Sequence, residues 1–374
     1  MIYADNAATT KLDIEAFEVM KPFLLEDYSN PSQHYSFSRD SKNALQNSRK
    51  IIANCINAKP EEIYFTSGGT ESDNWAIKGT ALGDYEKGTV ITSSFEHHAV
   101  LRTCSAIEKI GRPVVYLKPT SDGYITPATL SASINDKTRL VSIMFANNEL
   151  GSIQPIKDLC AIVHSCGALF HTDAVQAVGH IKIDVHEMGI DMLSASAHKF
   201  NGPKGVGFLY VKNGVNIAPL INGGSQESNH RAGTENVASI VGMAIALENN
   251  CKRISENSEK ILGLEKLLLK QLNQLGIKFV RNGGKNTLPG LLSLSFDGFG
   301  GELIMNRMDL KGICISTGSA CDSVGTQVSH VLRAIGLDES LAKDTIRISL
   351  GKNNTDEDVR QISNVLSTIL HKTL

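Results

Sequence analysis

EIYFTSGGTESDNWAIKGTAL, residues 62–82, decides the reading of the fold. EIYFTS is a short apolar run of strand formers. A glycine pair follows, and TESDNWAIKGTAL then reads as a helix. The same order returns along the chain. Strand-like runs stand at TVITSS (89–94), RPVVYLK (112–118), TRLVSIMFA (138–146), ALFHTDA (168–174), DMLSASA (191–197) and GVGFLYV (205–211). Helical segments such as PIKDLCAIVHSCG (155–167) separate many of them. Strands alternating with helices imply βαβ units, hence an α/β fold with a mainly parallel sheet covered by helices. Such sheets bind ligands beyond the carboxyl ends of their strands, so the polar residues just after each strand carry the interest.

The pattern changes after about residue 240. ASIVGMAIALENNCKRISENSEKILGLEKLLLKQLNQLG (238–276) is helical for longer than one ordinary helix and reads as two helices or one long connector. Strand-like FVRN, LLSLSFD and GICIST and a helical end follow. The expected organisation is a large domain over 15–250 and a smaller α+β domain over 251–374. Residues 1–14 are expected to pack with the small domain.

Over 374 residues the formal charge is −2, with 41% hydrophobic and 20% charged residues. That balance is ordinary for a globular chain, and it offers no basic stripe for nucleic acid. MIYADNAATT lacks the basic start and apolar run of a secretory signal, and no apolar stretch approaches a membrane span. A soluble, cytoplasmic protein is expected. The cysteines number seven, with no C-x-x-C pair, which suggests neither a disulfide framework nor a metal site. One of them, Cys321, stands among small polar residues in STGSACDS (316–323), where a core cysteine would have apolar neighbours.

Four strand ends bear chemistry. In SASAHKFNGPKGVG, Lys199 ends a strand in a glycine-rich turn, where a desolvated amine can form a Schiff base. In HTDAVQAVGH, Asp173 ends another strand, three residues before Gln176. It serves either as a helix cap or as the carboxylate partner of a pyridinium nitrogen. Lys199 and Asp173 lie 26 residues apart, one βαβ step. In FTSGGTES, Ser67 to Thr70 form a strand–helix turn suited to an anion. His97 and His98 follow a third strand, as a cap or as proton carriers near neutral pH. Asn147 and Asn148 also stand at a strand end. Arg347 reads either as a surface ion pair of the small domain or as a bidentate hold on a substrate carboxylate. GGSQESNHRAGTEN (223–236) is polar and long for a connecting loop.

These segments together resemble the cysteine desulfurases of the NifS/IscS type, class V fold-type I pyridoxal phosphate enzymes. The resemblance runs from YADNAATT through NPSQHYSFSR, TSGGTES, EHHAV, ANNELG, HTDAVQ, SAHKFNGPKGVG and RAGTEN to STGSACDS, HVLRAIGL and IRISLG. It implies that Lys199 holds pyridoxal 5'-phosphate covalently, that Asp173 bonds the ring nitrogen and Gln176 the ring hydroxyl. His97 would stack on the ring and move protons. Gly69, Thr70, Ser196 and His198 would hold the phosphate, and Thr234 would reach the phosphate of a second subunit in a homodimer. Asn148 and Arg347 would grip the carboxylate of L-cysteine, and Cys321 would take its sulfur as a persulfide. A sulfur-acceptor protein, an iron–sulfur scaffold or a tRNA-thiolation enzyme, would then receive it. Tyr35, Ser38 and Lys11 depart from the usual residues of the family. The alternatives are selenocysteine cleavage or amine transfer on the same scaffold, a non-catalytic scaffold protein, and a thiol redox sensor built on Cys321.

Overall fold

The structure, a computed structural model, describes residues 1–83, 88–318 and 328–371. The strands in chain order are β1 (Ile2–Tyr3), β2 (Ile63–Thr66), β3 (Thr89–Ser93), β4 (Val114–Leu117), β5 (Thr138–Ser142), β6 (Leu169–Asp173), β7 (Met192–Ser196), β8 (Gly207–Val211), β9 (Val280–Arg281), β10 (Leu291–Ser295), β11 (Ile313–Cys314) and β12 (Thr345–Ser349). Seven of them form one sheet in the order β2-β8-β7-β6-β5-β3-β4. β8 runs antiparallel to both its neighbours, and the other pairings are parallel. The exception has a simple cause. Residues 197–206 join β7 to β8 as a tight turn, whereas a parallel return needs a crossover of about a dozen residues or more.

The central strands β7 and β8 are buried along their whole length, as the unbroken apolar runs require. Among the helices, α1 (Ile14–Leu25), α2 (Arg39–Cys55), α3 (Gly69–Leu82) and α4 (His98–Lys109) come first. Asp13 caps α1 by accepting from the amides of Glu15 and Ala16. Trp75 of α3 is fully buried, stacks edge-on to Tyr64 and donates its indole N–H to Ala218 O at 3.0 Å. The 238–276 stretch divides into helices Val237–Lys252 and Ile254–Gln274, broken at Arg253.

A second core gathers Leu264 and Leu268 with Leu292, Leu294, Ile346, Ile348, Val359 and Ile362, around the antiparallel order β12-β10-β9. Ile2 and Ala4 belong to it, because β1 pairs in parallel with β11. Beyond β1 the chain crosses to the large sheet. Asn6 Nδ2 donates to Ser349 O at 2.9 Å, then Thr10 Oγ1 donates to His198 O at 2.8 Å.

Arg347 is not on the surface. It is 2% exposed, donates from Nη2 to Asp5 Oδ1 at 2.7 Å and from Nη1 to Asn148 O at 3.0 Å. The strand face of β12 points it inward between the two cores, and the surface ion pair is thereby excluded. Removing one partner of a buried pair strands the other charge, so Asp5→Ala is expected to cost about 3 kcal/mol. Urea unfolding at an unchanged m-value checks this.

Candidate active site

A cavity of about 250 Å³ opens at the carboxyl ends of the strands, lined on one side by Ala7, Ala8 and Arg347. Five of the seven strands contribute a turn each. Gly69 and Thr70 follow β2, His97 follows β3, Asn148 follows β5, Asp173 and Gln176 close β6, and Ser196, His198 and Lys199 close β7. β6 and β7 are parallel neighbours with Asp173 opposite Ser194, so the 26-residue step brings Asp173 and Lys199 to one cavity.

The turn after β2 depends on its glycines. Gly68 has φ +147, a conformation open almost only to glycine. A Cβ at Gly69 would lie 2.5 Å from Val175 Cγ2, so the start of α3 sits hard against the β6 turn and beside Ser196. The helix N-terminus and the Ser196 hydroxyl thus face the cavity together, a pairing that favours an anion.

Lys199 donates to the carbonyls of Ala7 and of Ala8, the latter at 3.0 Å. Gln176 Nε2 also donates to Ala7 O at 3.0 Å. Asp173 is 5% exposed and accepts from Val175 N–H at 3.0 Å, so it is a local cap as well as a cavity carboxylate. Burial raises its proton affinity, and His97 and Lys199 pull it back. His97 caps α4 by accepting from Ala99 N–H through Nδ1, and burial favours its neutral form. His198 meets Thr9 Oγ1 at 3.1 Å, and burial with Lys199 and Lys204 takes its pKa down to about 4.

One expected residue lies elsewhere. Thr234 is exposed and lines a separate hollow with Ser67, Gly205 and Arg231. Its segment is tied to the phosphate-type turn through Arg231, which donates to both oxygens of Glu71 at 2.9 and 3.2 Å. Cys321 lies outside the described residues. Both flanks of its segment meet Glu149. Ser329 Oγ donates to Glu149 Oε2 at 2.6 Å, and a Cβ at Gly318, whose φ is +146, would lie 3.1 Å from the same oxygen.

Asp5, Glu149, Asp73 and Glu96 were not singled out from the sequence. Asp5 and Glu149 stood inside YADNAATT and ANNELG, and their acidic type was the available signal. Glu96 stood likewise inside EHHAV. Asp73 carries no such signal, because only packing buries it. Glu96 accepts from Met144 N–H at 3.0 Å through each oxygen, and burial pushes its pKa up to about 8. Behind Asp173, His171 is held between Ser142 Oγ and Ser194 Oγ, each at 2.9 Å. Burial takes its pKa down to about 3.

An amine, a buried carboxylate, an anion-favouring helix start and a buried guanidinium on one cavity suit an amino-acid substrate held against a phosphorylated cofactor. The chain belongs to the class-V aminotransferase family, whose sequence model matches residues 2–362, and within it to the cysteine desulfurases. It is 46% identical over 373 residues to the "Cysteine desulfurase IscS" of Dictyoglomus turgidum, covering 99% of this chain and 95% of that protein. With the protein of the same name from Methanosarcina thermophila it shares 45% over 372 residues, or 99% and 92% of the two chains. A solved "NIFS-LIKE PROTEIN" superposes with a TM-score of 0.93 at 38% identity over 99% of both chains. The structure titled "SspA in complex with cysteine" gives 0.85 at 39%, over 95% of this chain and 100% of that one.

His171 supplies a pH test. Its folded pKa is depressed below the unfolded value of about 6.5, so its share of stability is present above pH ~6.5 and is lost as pH falls toward 3. His171→Gln is expected to flatten the fall of melting temperature across that window. An unchanged slope speaks against a neutral buried imidazole.

Proposed function

We propose that this protein is a pyridoxal phosphate-dependent cysteine desulfurase that takes sulfur from L-cysteine onto Cys321 and releases L-alanine. The observation that carries the reading is the convergence of Lys199, Asp173 and Arg347 on one cavity. The residues fit the cofactor. Gly69, Thr70, Ser196 and His198 would hold its phosphate at the start of α3. Asp173 would face the ring nitrogen, Gln176 the ring hydroxyl, and Lys199 would bond the aldehyde carbon. His97, beside Asp173, would cover the ring.

When bound, the cofactor serves as the electron sink for loss of the substrate α-proton. Lys199 Nζ takes that proton and returns one later. Arg347, whose buried Nε has no hydrogen-bond partner among the described residues, is oriented by Asp5 to receive the substrate carboxylate, with Asn148 beside it. Cys321, as thiolate, attacks the substrate sulfur. The S–S bond forms as the C–S bond breaks, and the C–S electron pair stays on carbon, which takes up a proton. The net change is L-cysteine plus the Cys321 thiol to L-alanine plus the Cys321 persulfide. A free thiol has a pKa of about 8.5, so His97 is the group suited to take the Cys321 proton at neutral pH.

The reading includes a homodimer, in which Thr234, outside its own chain's cavity, would complete the phosphate site of a second copy. The persulfide would pass to an acceptor protein, an iron–sulfur scaffold or a tRNA-thiolation enzyme, in the cytoplasm. No helix among the described residues is long and apolar enough to cross a membrane.

Sulfur-35 L-cysteine is expected to label the wild type at Cys321. Cys321→Ser should keep the visible absorbance of the bound cofactor and lose sulfur release by more than about a hundredfold, the loss expected when a covalent nucleophile is removed. Full activity of that variant on L-cysteine sinks the mechanism, and activity kept only on selenocysteine identifies a selenocysteine lyase. Lys199→Ala is expected to lose the visible band. Gly318→Ala forces a side chain into a glycine-only conformation, at a cost of about 1–3 kcal/mol. It should slow sulfur release about tenfold with cofactor loading unchanged.

A further inference from the structure

Asp73 has no part in the chemistry above, yet it lines the same cavity. It lies on the second turn of α3, 1% exposed; among the described residues neither carboxylate oxygen makes a well-formed hydrogen bond, and the Ser194 hydroxyl is only a weak donor to it. Atoms of Asp73, His97 and Asp173 lie within 4.8 Å of one another. A buried ionised carboxylate so poorly partnered is strongly disfavoured, as an uncompensated buried charge is. The groups packed around it do not supply a cation. His171 Nε2, 3.7 Å from Asp73 Oδ1, is neutral and already bonded to Ser194 Oγ. His97 is favoured neutral, and Glu96 and Asp173 are acids. On α4, burial drives the Cys104 thiol up to about 12, so it carries no charge either. Lys199 is directed to the carbonyls of Ala7 and Ala8.

We propose that Asp73 and Asp173 share a single proton in the cofactor-free protein, with Asp73 the positioning residue that gives it up when a protonated ring nitrogen faces Asp173. Two carboxylates this close do not both ionise readily, and they titrate as a pair. Burial and Asp173 favour the protonated form of Asp73, with Ser194 opposing. The pair therefore presents one negative charge to the cavity at neutral pH. It adds a second only when a cation such as a protonated ring nitrogen is there to balance it. Without that cation, the second ionisation puts an unbalanced charge in the core. This rests on the reading of Asp173 given above.

A double-mutant cycle on the full-length, cofactor-free protein tests the pairing directly. A group with a raised folded pKa gives stability below its unfolded pKa and loses it as pH rises through the folded value. Melting temperature should accordingly fall from pH 6 to 9 in the wild type. The fall should be smaller in Asp73→Asn and in Asp173→Asn, and no smaller again in the double variant. Effects of the two changes that simply add overturn the pair. In the loaded enzyme, the ring nitrogen of ¹⁵N-labelled pyridoxal phosphate should lose its proton at a pH lower by about one unit in Asp73→Asn, a tenfold loss of proton affinity. A merely structural Asp73 leaves that midpoint in place, and this too overturns the proposal. A ring nitrogen indifferent to Asp173→Asn instead sinks the reading of Asp173 while the cofactor-free cycle still judges the pair.

Discussion

The buried ion pair of Asp5 with Arg347 holds the molecule together at its functional centre. Arg347 belongs to β12 in the second core, and Asp5 to the segment that crosses toward the large sheet. The same guanidinium holds the Asn148 carbonyl, at the end of the β5 loop. Three parts of the chain are thus fixed by one side chain. Desolvating the pair is costly, and the geometry repays it only while both partners are present. Ala7 and Ala8 stand two and three residues after Asp5, so the carbonyls that receive the Lys199 ammonium are placed by the same bond. The position of the reactive amine is therefore coupled to the packing of the second core.

The cavity divides its electrostatics by depth. Toward the start of α3 it offers amides, the Ser196 hydroxyl and a histidine whose proton affinity is depressed. Toward the β6 end it offers acids whose proton affinity is raised. Both shifts have the same leading cause, exclusion of water, which disfavours charge of either sign. A ligand with an anionic end and a basic end would relieve both at once. The site is prepared by burial rather than by a crowd of fixed charges.

The large sheet was legible in the sequence because its central strands are buried on both faces, and such strands announce themselves as largely apolar runs. Asp173 and Lys199 were legible because each ends such a run. The direction of β8 was not, since the run GVGFLYV reads alike in either sense and only the short link from β7 sets it. The buried state of Arg347 was hidden as well. Its partner lies 342 residues away, and a lone arginine in a strand looks the same whether it meets solvent or Asp5. Asp73 was missed for a related reason. On a helix of ordinary composition, nothing local marks an acid that the packing of α3 on β6 and β7 will bury.

The crossing of residues 2–8 between the two cores has a consequence for biosynthesis. These residues leave the ribosome early, yet their partners at 313–314 and 347–349 are made more than three hundred residues later. The large sheet can assemble while translation continues, but the carbonyls that receive Lys199 cannot be fixed until β12 is free to pair. A partly synthesised chain therefore has a nearly complete sheet and an unfinished reaction centre. The order in which the fold closes thus leaves the reaction centre incomplete until β12 has been made.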